Sequence, residues 1–99
     1  MKKKRVFVFD GSQGKAEMMV AILKHYANVA FPLGGSPCAA TSRQAMLEII
    51  DKMMRDQQTE ISRRQRPILK SAVNWFYSES EYACPEDPMY ERLLSEFQR

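Results

Sequence analysis

The sequence predicts a small three-layer α/β sandwich in which a parallel sheet of about three or four strands lies between helices. Short apolar, β-prone segments alternate along the chain with longer segments whose apolar residues recur at helical spacing. This alternation of strand and helix favours parallel strands joined by right-handed crossovers. The 99 residues suffice for one small domain, and neither repeats nor a linker divides them.

The first strand and helix are predicted at the N-terminal end. Residues 6–9, VFVF, form an apolar run that is typical of a buried strand of a parallel sheet. Gly11 and Gly14 then mark a tight loop. A helix is predicted over residues 15–27, with Asn28 at its end. Its apolar residues at helical spacing are Met18, Met19, Ile22 and Tyr26.

The middle of the chain is predicted to contain a short strand and a second helix. Residues 29–31 are apolar and β-prone, and the turn-rich stretch PLGGSPCAAT that follows predicts a loop. Thr41 and Gln44 form the T-x-x-Q pattern of a capping box, which indicates that a helix begins there. The apolar stripe of this helix consists of Met46, Ile49, Ile50 and Met53.

The last strand and helix are predicted in the C-terminal third. Residues 56–67 are polar and basic, as is typical of a connection. Residues 72–77, AVNWFY, are rich in β-prone and aromatic side chains and are predicted as the third strand. Asp87 and Pro88 suit the N-cap and first position of a final helix. The apolar face of that helix carries Tyr90, Leu93, Leu94 and Phe97.

Charge and hydropathy exclude several classes of function. The net charge is +3, with basic residues gathered at positions 2–5 and 63–66. Neither cluster has interleaved aromatic residues, so nucleic-acid binding is not predicted. No apolar segment approaches the roughly 20 residues that a transmembrane helix needs. The apolar run at 6–9 is also too short for the core of a secretion signal, so a cytoplasmic protein with no membrane partner is expected.

Cysteine and histidine give no pattern of a metal or cofactor site. Cys38 and Cys84 are far apart and lack the C-x-x-C spacing, so both are expected to be free thiols. His25 lies near the end of a predicted helix, where an interaction with the helix dipole is the expected role. The sequence therefore predicts neither a metal nor a cofactor.

The segment between the first strand and the first helix, FVFDGSQGKAEMM, has the order of a phosphate-binding loop. It is not a Walker loop, because Phe9 replaces the first glycine and Ala16 replaces the hydroxyl residue. Gly11 and Gly14 alone do not make a dinucleotide-binding fingerprint. VFDGS is similar to the nucleophile loop of haloacid-dehalogenase-type phosphatases, but Ser12 replaces their second aspartate.

A better match extends over nearly the whole chain. FVFDGSQGKAEMMVAILKH resembles the C-x5-R-S loop and following helix of the low-molecular-weight tyrosine phosphatase superfamily, and most closely its thioredoxin-coupled arsenate reductases. PLGGSPCAATSRQAMLEII resembles that family's next turn and helix, and TEIS resembles its I-D-I-S stretch. YSESEYACP resembles its C-S-x5-C-P pattern. Asp87 and Pro88 resemble its D-P pair, whose aspartate is the general acid in the phosphatases.

Several positions that carry the family's chemistry differ in this chain. In the alignment Phe9 falls on the nucleophilic cysteine and Lys15 on the loop arginine, while Tyr77 and Cys84 fall on the two other redox cysteines. Without a thiolate in the loop, neither the phosphatase nor the reductase reaction can proceed by the family route. Lysine also lacks the planar fork with which arginine grips an oxyanion. The resemblance therefore implies a degenerate, shortened and catalytically inactive relative.

The predicted function is binding or regulation through a residual anion-binding loop, since backbone N–H groups before a helix attract anions. The expected ligand is a phosphate-like oxyanion or a phosphorylated partner. The loop residues are Asp10, Gly11, Ser12, Gln13, Gly14, Lys15 and Ala16. One alternative is an active enzyme with relocated residues, in which Asp87 is the acid and Cys84 or Asp10 the nucleophile. The other is a homodimeric protein-interaction module formed through exposed apolar surface.

Overall fold

A computed structural model describes residues 6–31 and 34–98, so the basic residues at 2–5 lie outside the described part of the chain. Within that part, helices predominate. The elements in chain order are β1 (Val6–Asp10), α1 (Lys15–Ala30), α2 (Pro37–Arg55), β2 (Gln58–Ser62), α3 (Arg66–Ser78) and α4 (Pro88–Gln98). None of the helices in residues 6–31 and 34–98 is long and apolar enough to cross a membrane.

The sheet differs from the prediction. In the described residues it has two strands, β1 and β2, which pair antiparallel. Phe9 lies opposite Thr59 and Phe7 opposite Ile61, and these pairs face the helices. The predicted three-layer sandwich with a parallel sheet of three or four strands is therefore wrong. Its second and third strands are helical in the structure.

The two missing strands are parts of longer helices. Residues 29–30 are the last residues of α1, and Val29 is largely exposed. Residues 72–77 belong to α3, because the buried residues of this segment recur at intervals of three and four. The series begins before the AVNWFY run, with Leu69, and continues through Ala72, Val73 and Phe76. A window that includes Leu69 therefore shows a helical period that the six-residue run alone does not.

The second strand lies where the sequence suggested a connection. In Gln58–Ser62 the burial alternates, with Thr59 and Ile61 buried and Glu60 exposed. This period of two is typical of a strand with one face on a core. The segment is short and polar on its outer face, so its composition resembles that of a solvated connection.

The helix starts are partly as predicted. α1 begins at Lys15, and α4 begins after Asp87, whose Oδ1 accepts the Met89 N–H at 2.9 Å. The capping box at Thr41 is wrong, because α2 begins earlier, at Pro37, with Ser36 as its N-cap. Thr41 lies inside the helix and its hydroxyl donates to the Pro37 carbonyl.

The core is built around α1. This helix packs against α2, α3 and α4, while α4 also contacts β1. On the sheet side, the ring of Phe9 stacks on Phe97 with centroids 5.6 Å apart. Side chains with no exposed surface in this core are Phe9, Met19, Ile22, Leu23, Leu69, Ala72, Val73 and Leu93. The loop between β1 and α1 therefore lies at the edge of the core and beside the end of α4.

Candidate functional site

The loop that joins β1 to α1 is a tight turn rather than an open cradle. The Ser12 carbonyl accepts the Lys15 N–H at 3.1 Å. Between them Gln13 and Gly14 both have positive φ, 60° and 83°, which is the pattern of a type I′ turn. Gln13 pays a steric penalty in this conformation, whereas Gly14 does not. Sequence reasoning correctly located the loop, and the structure defines its turn type.

Most backbone donors of the loop bond within the protein. The Gly11 N–H donates to the Gln57 carbonyl at 2.7 Å, and the Ala16 N–H donates to the Gly11 carbonyl at 3.0 Å. The N–H groups of Gln13 and Gly14 have no hydrogen-bond partner in the described part of the chain, and both residues are exposed. Two donors at the tip of the turn are therefore free to meet a ligand.

The carboxylate of Asp10 places a negative charge beside this turn. Its Oδ1 accepts the Ser12 N–H at 3.0 Å and the Gln58 side-chain amide at 2.9 Å. Hydrogen bonding from Ser12 lowers the pKa of Asp10 most, with smaller contributions from Gln58 and Lys15, to about 2. Asp10 is therefore ionised at neutral pH and occupies donors that an external anion would otherwise use.

Lys15 points into the protein rather than toward a ligand. Its Nζ lies 2.9 Å from Glu96 Oε2 and 3.6 Å from Asp10 Oδ2, and its side chain is only 9% exposed. Glu96 Oε1 also accepts the Asp10 N–H at 3.3 Å. The ammonium is thus held between two carboxylates, and it ties the end of α4 to β1 and α1.

Phe9, which aligns with the family's nucleophile, is a core residue. It has no exposed surface and stacks on Phe97. The phenyl ring offers neither a nucleophile nor a donor. The position that aligns with the family's nucleophile therefore holds a side chain that cannot form a covalent intermediate with an oxyanion substrate.

The turn before α4 brings Cys84 and Asp87 together. The Asp87 N–H donates to the Cys84 carbonyl at 3.0 Å, and the Asp87 carboxylate caps α4. Cys84 is exposed, and its Sγ lies 3.7 Å from Glu86 Oε2. The thiol donates to this carboxylate and is thereby tied to the turn.

Tyr77 lies under this turn. Burial raises the pKa of Tyr77 to about 12, with Asp87 and Cys84 adding to the effect. Its hydroxyl has no hydrogen-bond partner in the described residues, while its ring stacks on Tyr90 at 4.9 Å. The phenol therefore stays protonated in the core at neutral pH.

A groove runs beside the loop, between the first turns of α1 and the end of α2. Its apolar part, about 340 Å³, is lined by Ala16, Val20, Met53 and Met54, with Glu17 at the side. Its polar part, about 260 Å³, shares most of these residues and adds the 11–14 loop, Arg55, Asp56 and Gln57. We call the two parts together the Met groove.

The Met groove combines an exposed methionine, Met54, with an exposed arginine, Arg55. Met54 is 66% exposed, and methionine side chains adapt readily to different partners. Arg55 is exposed and makes no ion pair within residues 6–31 and 34–98. Sequence reasoning did not identify either residue as part of a site. The available signal was the Met53–Met54 pair, in which one methionine continues the buried stripe and its neighbour must face outward.

The remaining candidate residues do not assemble a metal centre. Cys38 is an exposed free thiol in the first turn of α2, and His25 contacts aromatic rings of Phe76 and Tyr82. Among the residues that the structure describes, no group of three or more His, Cys, Asp or Glu side chains could hold a metal ion.

Comparison with known proteins identifies no relative of this chain. No protein-family model, curated protein or solved structure matches it. The resemblance to the low-molecular-weight tyrosine phosphatase superfamily therefore stays a prediction from the sequence.

Proposed function

We propose that the protein is a non-catalytic binding protein whose ligand site is the Met groove. The observation that carries this proposal is that exposed Met54 adjoins the N–H donors of Gln13 and Gly14 and the Arg55 side chain, none of which is paired within residues 6–31 and 34–98. A binding role needs complementary surface only, whereas catalysis also needs a nucleophile or an acid–base pair.

The geometry of the loop and of the turn before α4 supports the absence of catalysis. Phe9 is buried in the core, and Lys15 is paired with Glu96. Asp87 stabilises the start of α4, and Cys84 lies beside a carboxylate. The active-enzyme alternative requires Asp87, Cys84 and Asp10, and each of these side chains has a hydrogen-bond partner within the protein.

The proposed ligand is a partner segment that carries an anionic group next to an apolar side chain. Arg55 and the tip of the turn would contact the anionic group, which is a phosphate or a carboxylate. Met54 and Val20 would contact the apolar side chain. Glu17 and Asp56 lie in the same wall and oppose a free anion. We therefore expect inorganic phosphate to bind weakly and the apolar contact to supply most of the affinity.

Of the resemblance to the phosphatase superfamily, only the sequence similarity of the loop supports this proposal. An oxyanion-binding ancestor would account for the glycine turn before a helix, although the antiparallel two-stranded sheet differs from the fold that the resemblance implied. A cytoplasmic location, which suits free thiols at Cys38 and Cys84, is the second part of the proposal.

An amide NMR titration tests the site. Phosphate, arsenate and a short peptide with phosphotyrosine beside leucine are added in turn to the purified protein. We expect saturable shifts at residues 11–17 and 53–57, with the peptide binding at least about tenfold more tightly than phosphate, because it also buries apolar surface. Shifts confined to other parts of the chain, or none at millimolar peptide, would overturn the proposal.

Matched variants separate the two parts of the groove. Arg55→Ala should weaken binding of the peptide, whereas Arg63→Ala removes an exposed arginine outside the groove and should have no effect. Met54→Lys should weaken peptide binding more than phosphate binding. Val29→Lys is its control, since Val29 is similarly exposed at the other end of α1.

The alternative of an active enzyme has its own test. Hydrolysis of an aryl phosphate by the wild type, lost in Asp87→Asn and in Cys84→Ser, would establish relocated catalysis. We expect no hydrolysis above the background of the heat-treated protein, because buried Phe9 occupies the nucleophile position of the loop and Asp87 caps α4.

A further inference from the structure

A second pocket lies on the other side of the helical core, between the C-terminal half of α1 and the turn that follows α3. Its volume is about 300 Å³. Three ring-bearing side chains, His25, Trp75 and Tyr82, form its walls, and Glu79 and Glu81 lie at its margin. His25 lies nine positions along α1 from Ala16 in the Met groove, which corresponds to about 14 Å along the helix. The two sites are therefore separate.

The rings of this pocket are held in place although Tyr82 is 53% exposed. The Tyr82 ring stacks on Phe76 with centroids 6.0 Å apart and lies 5.1 Å from His25. Ser80 fixes the turn, since its hydroxyl donates to the Phe76 carbonyl and accepts the Tyr82 N–H. Trp75 packs against Tyr26 on its other side. Partial exposure of a fixed aromatic ring leaves one face available to a ligand.

The charge of this pocket opposes that of the whole protein. The chain has a net charge of +3, yet the residues lining the pocket include two glutamates and no lysine or arginine. Glu79 and Glu81 are exposed and make no ion pair or side-chain hydrogen bond in the described residues. Their negative charge is therefore available to a cation that enters between the rings.

We propose that this pocket binds an organic cation, namely an alkyl- or methyl-substituted ammonium group. The negative faces of Trp75 and Tyr82 attract such a group, and methyl substituents increase its contact with the rings. Glu79 and Glu81 supply the counter-charge at the margin. A volume of 300 Å³ is at the lower end for small-molecule sites, so the pocket fits a single head group rather than an extended ligand.

Trp75 provides a direct measurement, because it is the only tryptophan in the sequence. Choline and its neutral isostere 3,3-dimethylbutanol are titrated at constant ionic strength while tryptophan fluorescence is recorded. We expect a saturable change with choline and at least about tenfold weaker binding of the alcohol, since the ring faces and carboxylates attract only the charged ligand. Equal responses to both ligands, or the same response to sodium chloride, would overturn the proposal.

Two variants locate the binding. Tyr82→Leu keeps an apolar side chain and removes one ring, and we expect about tenfold weaker choline binding. Glu79→Gln combined with Glu81→Gln leaves the rings intact and should weaken choline binding several-fold without affecting the alcohol. Glu48→Gln, an exposed glutamate on α2, is the control. Unchanged choline affinity in both pocket variants, each with native circular dichroism, would also refute the assignment.

The source of the cation is resolved by comparing free trimethyl-lysine with the same residue inside a short peptide. Tighter binding of the peptide assigns the pocket to a modified side chain of a partner protein. Equal affinities assign it to a free quaternary amine. Competition by the free amino acid alone also assigns it to a free quaternary amine, and failure of both ligands to compete with choline would contradict the proposal. The outcome is independent of the Met groove, because Arg55→Ala and Met54→Lys leave the residues that line this pocket unchanged.

Discussion

At the scale of single residues, Lys15 has the largest influence on what the loop can bind. Its ammonium lies between Asp10 and Glu96 and so adds no positive charge to the surface of the turn. The sequence places Lys15 beside the glycine loop but contains no local signal for a partner 81 residues away. The direction of a long side chain depends on tertiary packing, which is why the loop could be located from the sequence and its chemistry could not.

Removal of the Glu96 carboxylate should destabilise the protein. Glu96→Gln leaves the buried Lys15 ammonium with Asp10 as its remaining anion, at 3.6 Å, and we expect a loss of about 3 kcal/mol in the free energy of unfolding. Lys15→Met combined with Glu96→Gln should cost less than the sum of the single changes, by at least about 1 kcal/mol. Urea unfolding measures each value.

The control for this cycle is Lys24→Met with Glu91→Gln, two exposed charges that make no ion pair within the described residues. Their effects should be additive. Additive effects of Lys15 and Glu96 as well would mean that the pair does not interact in solution.

The lowered pKa of Asp10 should make the free energy of unfolding decrease as the pH falls in the acid range. Its pKa in the folded protein is about 2, below the ordinary value of 3.8, so the folded state favours the charged form. This stabilisation is fully present above pH 4 and is lost as the pH falls toward 2. In urea unfolding at pH 5, 3 and 2, Asp10→Asn should lose less stability than the wild type. An exposed aspartate, in Asp51→Asn, provides the comparison, and identical pH profiles for all three proteins would contradict the prediction.

The raised pKa of Tyr77 should make the stability of the folded protein decrease as the pH rises in the alkaline range. Its pKa is raised to about 12 from 10, so the folded state holds the proton that the unfolded chain releases. The stability due to the protonated phenol is present below pH 10 and is lost between pH 10 and 12. Tyr77→Phe should unfold less readily in this range and be neutral to about 1 kcal/mol more stable at pH 7, because its hydroxyl lacks a described partner. Tyr82→Phe, an exposed tyrosine, should keep the wild-type pH profile.

At the scale of elements, the sequence predicted helices better than strands. The starts of α1 and α4 follow from a glycine turn and from the Asp87–Pro88 pair, both of which are local signals. The 72–77 run was misassigned because its aromatic residues suggest a strand, whereas the stripe from Leu69 to Phe76 has a helical period. Strand direction is not a local property, and the antiparallel partner of β1 lies about fifty residues away in a polar segment.

Variants of Asp87 distinguish a role in capping α4 from a role as a general acid. Asp87→Ala removes the acceptor of the Met89 N–H, and we expect a loss of about 1 kcal/mol in the free energy of unfolding. Asp87→Ser retains a capping oxygen and should recover most of that loss. A general acid would behave differently, since serine could not replace its function. No loss of stability in Asp87→Ala would show that the carboxylate does not cap the helix.

At the scale of the whole molecule, exposed apolar residues are dispersed. Val8, Leu47, Met54 and Ile68 belong to three different elements, and Val29 and Tyr82 line the pocket between α1 and the turn after α3. A stable homodimer normally needs one contiguous apolar patch. The alternative of a homodimeric module therefore depends on the Met groove, and light scattering at high concentration should give a monomer for the wild type and for Met54→Lys alike. A dimer lost in Met54→Lys would instead favour that alternative.

The contacts between β1 and α4 determine when this domain can fold during synthesis. Phe9 stacks on Phe97, and the Asp10 N–H donates to Glu96, so residues about 86 positions apart complete one region of the core. A ribosome that has translated only as far as α3 leaves the apolar face of β1 uncovered. The nascent chain must therefore remain unfolded or chaperoned until α4 has left the exit tunnel, and a chain stopped after residue 87 would expose Phe9 to aggregation.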